Sequence, residues 1–250
     1  PIIASGHSHT CALTPAQDAY CWGDNNAGDL GTGLPRTGVP QLVAGGLKFR
    51  DITASRDATC GLTIDSLAYC WGEGGRLGDG GTASSSVPVP VTGGLKFRSI
   101  AGGGHHTCGI TVTGAAFCWG YNGAGALGDG TTAVQLAPVP VTGGLTFTTI
   151  SAGGWDFGND YTCAVATSGV AYCWGDGSYG QLGSGAQASS TSPVPVAGGH
   201  VFAGITAGGM HACGITTGGI TYCWGSDYYA QLGNGITQDS NVPVRVTGQP

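Results

Sequence analysis

The chain has 250 residues, 50 of them Gly, with 9% charged residues and a formal net charge of -6. Sparse charge and abundant Gly suit short strands joined by tight turns, while 41% hydrophobic residues in a regular repeat exclude disorder and promise a buried core. No run of 18 apolar residues is present to span a membrane, no signal-like pattern opens the chain, and its start at Pro1 rather than Met points to a processed or excised form.

One phrase returns five times, a Cys, nine residues, then Cys-Trp-Gly: Cys11 to Cys21, Cys60 to Cys70, Cys108 to Cys118, Cys163 to Cys173 and Cys213 to Cys223. All ten cysteines are used. Successive first cysteines are 49, 48, 55 and 50 residues apart, the period of a four-stranded propeller blade. The expected fold is all-β, a single β-propeller domain over 1–250 with repeat units at approximately 1–46, 47–94, 95–144, 145–199 and 200–250.

The first unit carries the loop Asp24-Asn25-Asn26-Ala27-Gly28-Asp29, acidic enough to suggest calcium but lacking the alternating ligands and closing Glu of an EF-hand. It reads as a Gly-rich turn. The second and third units open on Lys48 with Arg50 and on Lys96 with Arg98, which mark one charged flank of the ring. The third unit shows the strands most plainly: Ser99–Gly102, Thr107–Thr111, Ala116–Gly120 and Val139–Val141. Pro140 lacks an N–H for a ladder, so its strand belongs at a blade edge; Gly102, Gly103 and Gly104 suit crowded inner strands near an axis.

If the second and third strands pair around a turn near Val112–Gly114, Cys108 and Cys118 face each other on one side of the sheet. A one-residue slip would turn one sulfur away, so five repetitions favour five intrablade disulfides. Free core thiols and a metal site are the competing readings; zinc is poorly served by one Cys pair per unit at this spacing. Disulfides imply an oxidising, extracytoplasmic compartment, secreted or cell-surface.

The fourth unit is lengthened by Trp155-Asp156-Phe157-Gly158-Asn159-Asp160-Tyr161 just before Cys163. Aromatics flanked by acids on a scaffold loop form a candidate partner-binding patch, Trp155, Asp156, Phe157, Asp160 and Tyr161. Tyr179, Tyr228 and Tyr229, each soon after a Cys-Trp-Gly, extend it. The fifth unit ends near Val246, and Pro1-Ile2-Ile3 is placed to complete its blade as a terminal clasp. Without a clasp the edges are free for a neighbouring molecule, which makes an oligomer or filament an alternative.

The segments Ala-Gly-Gly-x-His-Thr-Cys, Tyr-Cys-Trp-Gly, Gly-Gln-Leu-Gly-x-Gly and Pro-Val-Pro-Val resemble repeats of the regulator of chromosome condensation family, in the cysteine-bearing form of bacterial secreted proteins, over essentially the whole chain. The resemblance implies a propeller usually of seven blades and roles as different as nucleotide exchange, UV-B perception and beta-lactamase inhibition. Residues 99–250 hold one basic residue, Arg245, against six Asp, which argues against nucleic acid. Only Trp155 lies outside the Cys-Trp-Gly motif, so a tryptophan-cluster photoreceptor is a poor fit.

His9, His106 and His211 recur two residues before the first Cys, with Ala58 and Tyr161 in the other units. They read as packed structural histidines, and the recurring Trp as core between blades. No hydrolase, zincin or phosphate-loop motif occurs. The expected function is therefore non-catalytic, through protein recognition or self-assembly, with no cofactor, metal or membrane insertion. A carbohydrate-binding propeller, and thus a glycan partner, is the second reading, and a glycoside hydrolase the third.

Overall fold

The computed structural model describes residues 2–155 and 158–249. Blade 1 is β1 (Ile3–Ser5), β2 (His9–Leu13), β3 (Ala19–Gly23) and β4 (Thr37–Leu42). Blade 2 is β5 (Phe49–Ala54), β6 (Ala58–Thr63), β7 (Ala68–Gly72) and β8 (Ser85–Pro90). Blade 3 is β9 (Phe97–Gly102), β10 (His106–Thr111), β11 (Ala116–Gly120) and β12 (Gln135–Pro140). Blade 4 is β13 (Phe147–Gly153), β14 (Tyr161–Ala166), β15 (Ala171–Gly175) and β16 (Ser190–Pro195), and blade 5 is β17 (Phe202–Ala207), β18 (His211–Thr216), β19 (Thr221–Gly225) and β20 (Ser240–Arg245). Each is a sheet of four antiparallel strands in chain order.

Within each blade the two cysteines sit directly opposite, as Cys108 does Cys118. All five pairs are disulfides with Cα atoms 4.0 to 4.1 Å apart, the close approach of a non-hydrogen-bonded pair. The Gly of every Cys-Trp-Gly has φ between +102° and +113°, and the register to the outer strand shifts at that point. A bulge needs a residue tolerant of positive φ there, which explains the third letter of the motif. The outer strand pairs on one side only, with Pro140 opposite Phe117; it begins four residues earlier than the Pro-Val signature suggested.

The core lies between blades. The Cys60–Cys70 bridge, Leu62 and Leu77 of blade 2 pack on Phe97, Ile100 and Trp119 of blade 3. Equivalent clusters join blades 1 and 2, 3 and 4, and 4 and 5. Trp71, Trp119, Trp174 and Trp224 are fully buried, each ring lying over a Gly of the preceding blade, where a Cβ on Gly31, Gly78, Gly128 or Gly183 would come within 2.7 to 2.8 Å of the indole nitrogen. Three of them donate Nε1–H to the preceding blade: Trp71 to Asp29 O at 2.9 Å, Trp174 to Ala126 O at 2.9 Å and Trp224 to Gln181 O at 3.0 Å. The basic flank is built in as well, since the Arg50 guanidinium donates to Phe97 O at 2.7 Å and that of Arg98 to Phe147 O at 2.6 Å, each reaching the next blade.

Among the described residues this packing is made four times and not between blades 5 and 1. Gly233 has its own blade's Val246 as nearest neighbour where a tryptophan would stand. Trp22 is only partly buried, and Ile215 is 45% exposed although its counterpart Ile110 is fully covered. The expected clasp is also absent. Ile3 pairs with Ala12 in blade 1, and β20 already completes blade 5 from within. The reason is register: Ile3–Ser5 stands four residues before β2, the spacing of an inner strand, and Leu13 N–H bonds Ile2 O to extend that same hairpin.

Candidate functional site

The inner strands of all five blades converge on a small cavity of about 190 Å³ whose wall includes Gly6, Ser55, Gly103, Gly153 and Gly208. Gly154 and Trp155, where the blade 4 insertion begins, line it as well. β13 and β14 end on the pair Gly153 and Tyr161, and the intervening loop carries Trp155 towards the other side of the axis. There the indole meets His7 of blade 1 edge-on, with centroids 6.3 Å apart, and Trp155 O accepts from the Arg56 guanidinium of blade 2 at 3.0 Å. Gly154 N–H donates to Gly208 O of blade 5 at 3.1 Å. Gly154 and Trp155 therefore touch three other blades.

Its base is held by a buried polar cluster. Asp160 is fully buried; its Oδ1 accepts the His105 backbone N–H at 3.1 Å, and its Oδ2 lies 3.1 Å from His105 Nδ1. His106 Nδ1 stands 3.7 Å from Oδ1, and His106 Nε2 is 2.8 Å from the Thr162 hydroxyl. Burial opposes ionisation of Asp160, but the hydrogen bonding at His105 and the nearby imidazole of His106 outweigh it and hold the carboxyl down at about 2. Gly104 makes room, since a Cβ there would come within 2.5 Å of Asp160 Oδ1.

The other recurring histidines follow the same logic. His9 Nε2 is 2.8 Å from the Thr59 hydroxyl of blade 2, and burial lowers its pKa to about 4 against the pull of Asp57 and Asp24. Tyr161 replaces His in blade 4, is fully buried and donates its hydroxyl proton to His211 O of blade 5. Burial pushes the Tyr161 phenol far up. Asp29 is also buried, with its carboxyl raised to about 6 by desolvation and then by Asp57.

Beside the insertion lies a cleft of about 430 Å³ lined by Trp155, Gly209, Met210, His211, Tyr229 and Gln231, mostly apolar. Trp155 is 62% exposed and Tyr229 80%. Tyr228, 79% exposed, meets Tyr229 edge-on with centroids 4.7 Å apart. Burial lowers the His211 pKa, with Asp227 acting the other way. Among the described residues the lining carries no carboxylate.

The structure thus divides the sequence-derived patch. Trp155, Tyr228 and Tyr229 are surface aromatics, and Trp155 and Tyr229 share one cleft. Asp160 and Tyr161 are buried, so they support the loop and cannot touch a partner, a correction that follows from their hydrogen bonds across to blades 3 and 5. Tyr179, 38% exposed, stands in the blade 4 turn and is not part of the cleft lining. Asp156 and Phe157 lie outside the described residues. Sequence reasoning passed over Met210 and read His211 only as a packed structural histidine, whereas it lines this cleft. Met210 is the chain's only methionine, in a Gly-rich loop where another unit has His105, and that oddity was the available signal.

Models described as "Regulator of chromosome condensation (RCC1) repeat" match residues 65–110, 113–165, 168–215 and 218–250, and a second such model matches 2–29 and 97–126. Comparison with curated proteins returns no match. The chain is similar to the crystal structure of human WBSCR16 at 22% identity and a TM-score of 0.86, covering 98% of this chain and 66% of that one. It is also similar to Prp20p from Saccharomyces cerevisiae (18% identity, TM-score 0.60, 99% and 76% covered), a structure reported with its binding to Gsp1p and histones. The ectodomain of the Physcomitrella patens receptor kinase CR4 matches at 26% identity and a TM-score of 0.58, over 90% of this chain and 49% of that one. The chain thus spans about two thirds of the WBSCR16 chain and half of the CR4 ectodomain.

Proposed function

Because the chain belongs to the regulator of chromosome condensation repeat family, whose repeat models cover most of its length, we propose that it is a non-catalytic, extracytoplasmic propeller that recognises a protein partner through the cleft between Trp155 and Tyr229. The observation that carries this reading is the cleft itself: two exposed aromatics and Met210 held on a disulfide-bonded scaffold. Rigid Trp and Tyr supply contact area at little entropic cost, which is why they dominate binding hot spots. Five disulfides favour an oxidising compartment. Two relatives add support by analogy, one a receptor-kinase ectodomain and the other a structure described with protein partners. No helix among the described residues is long and apolar enough to cross a membrane.

The partner's chemistry follows from charge. Residues 99–250 hold a single basic residue against six Asp, so the cleft favours an apolar side chain on a neutral or basic segment. A display library of peptides and extracellular domains, screened against the non-reduced protein and its Trp155→Ala and Tyr229→Ala variants, tests this. Binders that lose at least about tenfold in affinity with both variants, at unchanged thermal stability, are the expected result. Binders indifferent to both changes would overturn the reading. Saturable sugar binding at the same cleft on a glycan array would transfer the function to the carbohydrate-binding alternative.

A further inference from the structure

The turn after Cys-Trp-Gly is closed in the same way in blades 1, 3 and 5. Asn25 Oδ1 accepts the Leu30 N–H at 2.9 Å, Asn122 Oδ1 the Leu127 N–H at 3.0 Å, and Asp227 Oδ1 the Leu232 N–H at 2.8 Å. The second side-chain atom differs. In blade 1 Asn25 Nδ2 donates to Leu34 O at 2.5 Å, and in blade 3 Asn122 Nδ2 donates to Asp129 Oδ1 and Thr131 O, both at 3.1 Å. The equivalent positions of blade 5, seven and nine residues on, are Asn234 and Ile236, and the backbone there is tied likewise: Ile236 N–H donates to Asn234 Oδ1 at 3.1 Å as Thr131 N–H does to Asp129 Oδ1 at 2.9 Å. Asp227 therefore aims an oxygen where its counterparts aim an NH2 group, at a set of acceptors.

Asp227 is fully buried, and its Oδ2 has no hydrogen-bond partner. A second carboxylate stands beside it. Asp239 Oδ1 accepts the Asp227 N–H at 2.7 Å, a role taken by the neutral hydroxyls of Ser84 in blade 2 and Ser189 in blade 4. A buried carboxylate oxygen among oxygen acceptors is stable only with a donor or a cation between them. We propose that the blade 5 turn is a divalent-cation site of the calcium class, with Asp227 Oδ2, the Asp239 carboxylate, the Asn234 amide oxygen and the Ile236 carbonyl as ligands and water completing the shell. The donors are all hard oxygens on an irregular turn, which suits calcium rather than zinc or the strict octahedron of magnesium. Asp239 and Ile236 are exposed and leave a path of entry. Tyr228 and Tyr229 follow Asp227 directly, so a bound ion also stiffens the turn that carries them.

Titration of the metal-free, non-reduced 250-residue protein with CaCl2 by calorimetry, with thermal unfolding in CaCl2 or EDTA, tests the site independently of any partner. The expected result is a saturable heat with Kd of about 0.1 to 1 mM and a Tm rise of about 3 to 6 °C in 5 mM CaCl2, with a smaller response to MgCl2. Asp227→Asn restores the amide found in blades 1 and 3, so this variant folds without calcium and loses the response; Asp239→Asn weakens it. An unresponsive native protein would overturn the proposal and leave a bridging water at Oδ2. An equal response from Asp227→Asn would overturn it too, by placing the ion elsewhere.

Discussion

Replacing Trp174 by Ala should cost far more than the same change at Trp22, although both occupy the same letter of the same motif. Trp174 is fully buried between blades 3 and 4, over Gly128 and against Phe147 at a centroid distance of 5.9 Å. Truncating a buried tryptophan removes its transfer free energy and leaves a cavity, about 3 to 5 kcal/mol together. The lost hydrogen bond adds little, because Ala126 O keeps the Thr162 hydroxyl as a donor at 2.9 Å. Trp22 lies on the blade 1 face that has no preceding blade packed on it, with no tryptophan at Gly233 of blade 5, and is partly exposed, so about 1 kcal/mol is expected. For a chain of this size these values translate to Tm falls of roughly 6 to 20 °C and 2 to 4 °C. The assay is thermal unfolding by far-UV circular dichroism on the non-reduced protein at low micromolar concentration, which avoids the loss of an indole fluorophore. A junction that fails while its neighbours hold should also broaden or split the transition, as in a linear array of coupled repeats. Equal falls for the two variants would refute the claim that blades cohere through these four junctions and that none joins blade 5 to blade 1.

Gly183→Ala and Gly233→Ala share a positive φ of about +63° and hence a backbone cost of about 1 kcal/mol, but only the first drives a Cβ to 2.7 Å from the Trp224 indole; denaturant titration should show an additional loss of about 1 to 3 kcal/mol there. Removing one bridge with Cys108→Ala and Cys118→Ala opens a link across a sequence separation of 10, and the chain-entropy relation gives a loss of about 2.8 kcal/mol, read from the urea midpoint. The pH dependence has a defined sign for His9: the unfolded imidazole takes a proton near 6.5 while the folded one resists to about 4, so stability falls as pH drops through that window, by about 3 kcal/mol at its lower end. Asp29, raised to about 6, opposes this over an overlapping range, so the test is the difference between the native protein and His9→Gln, and no change in slope between pH 6.5 and 4 would contradict the assignment.

Most of the fold was legible because its determinants are local and repeat. The Cys spacing specified the hairpin register, and Cys108 does face Cys118; the Gly after each Trp was noted only as part of the motif, and its reason, a bulge at positive φ in every blade, emerged with the structure. Propeller geometry adds what no single repeat contains, namely what covers each blade. A sequence period cannot say that Ile110 is sealed and Ile215 exposed, since both belong to equivalent strands and only the neighbour differs. The clasp failed for the same reason. Ile2-Ile3 is apolar and β-prone in either location, and the choice was made by its distance from β2, which seats it as the inner strand of its own blade.

The site was legible as an irregularity but not as a surface. Sequence length exposed the insertion before Cys163, yet alternation of aromatics and acids gave no indication that Asp160 and Tyr161 turn inward. Their direction is fixed from outside the segment, by His105 and His106 in blade 3 and by the His211 carbonyl in blade 5. The cleft beside Trp155 likewise draws Met210 and Tyr229 from a different unit. Asp227 shows the opposite case, where the repeat is the instrument. Against Asn25 and Asn122 the change from amide to carboxylate stands out as an exception in a turn closed by the same backbone hydrogen bond, and its physical meaning appears only once burial has removed water as the default partner of Oδ2. In a chain built of near-identical units, function is written in the departures, and each departure becomes interpretable when the structure states what the other copies do with the same position.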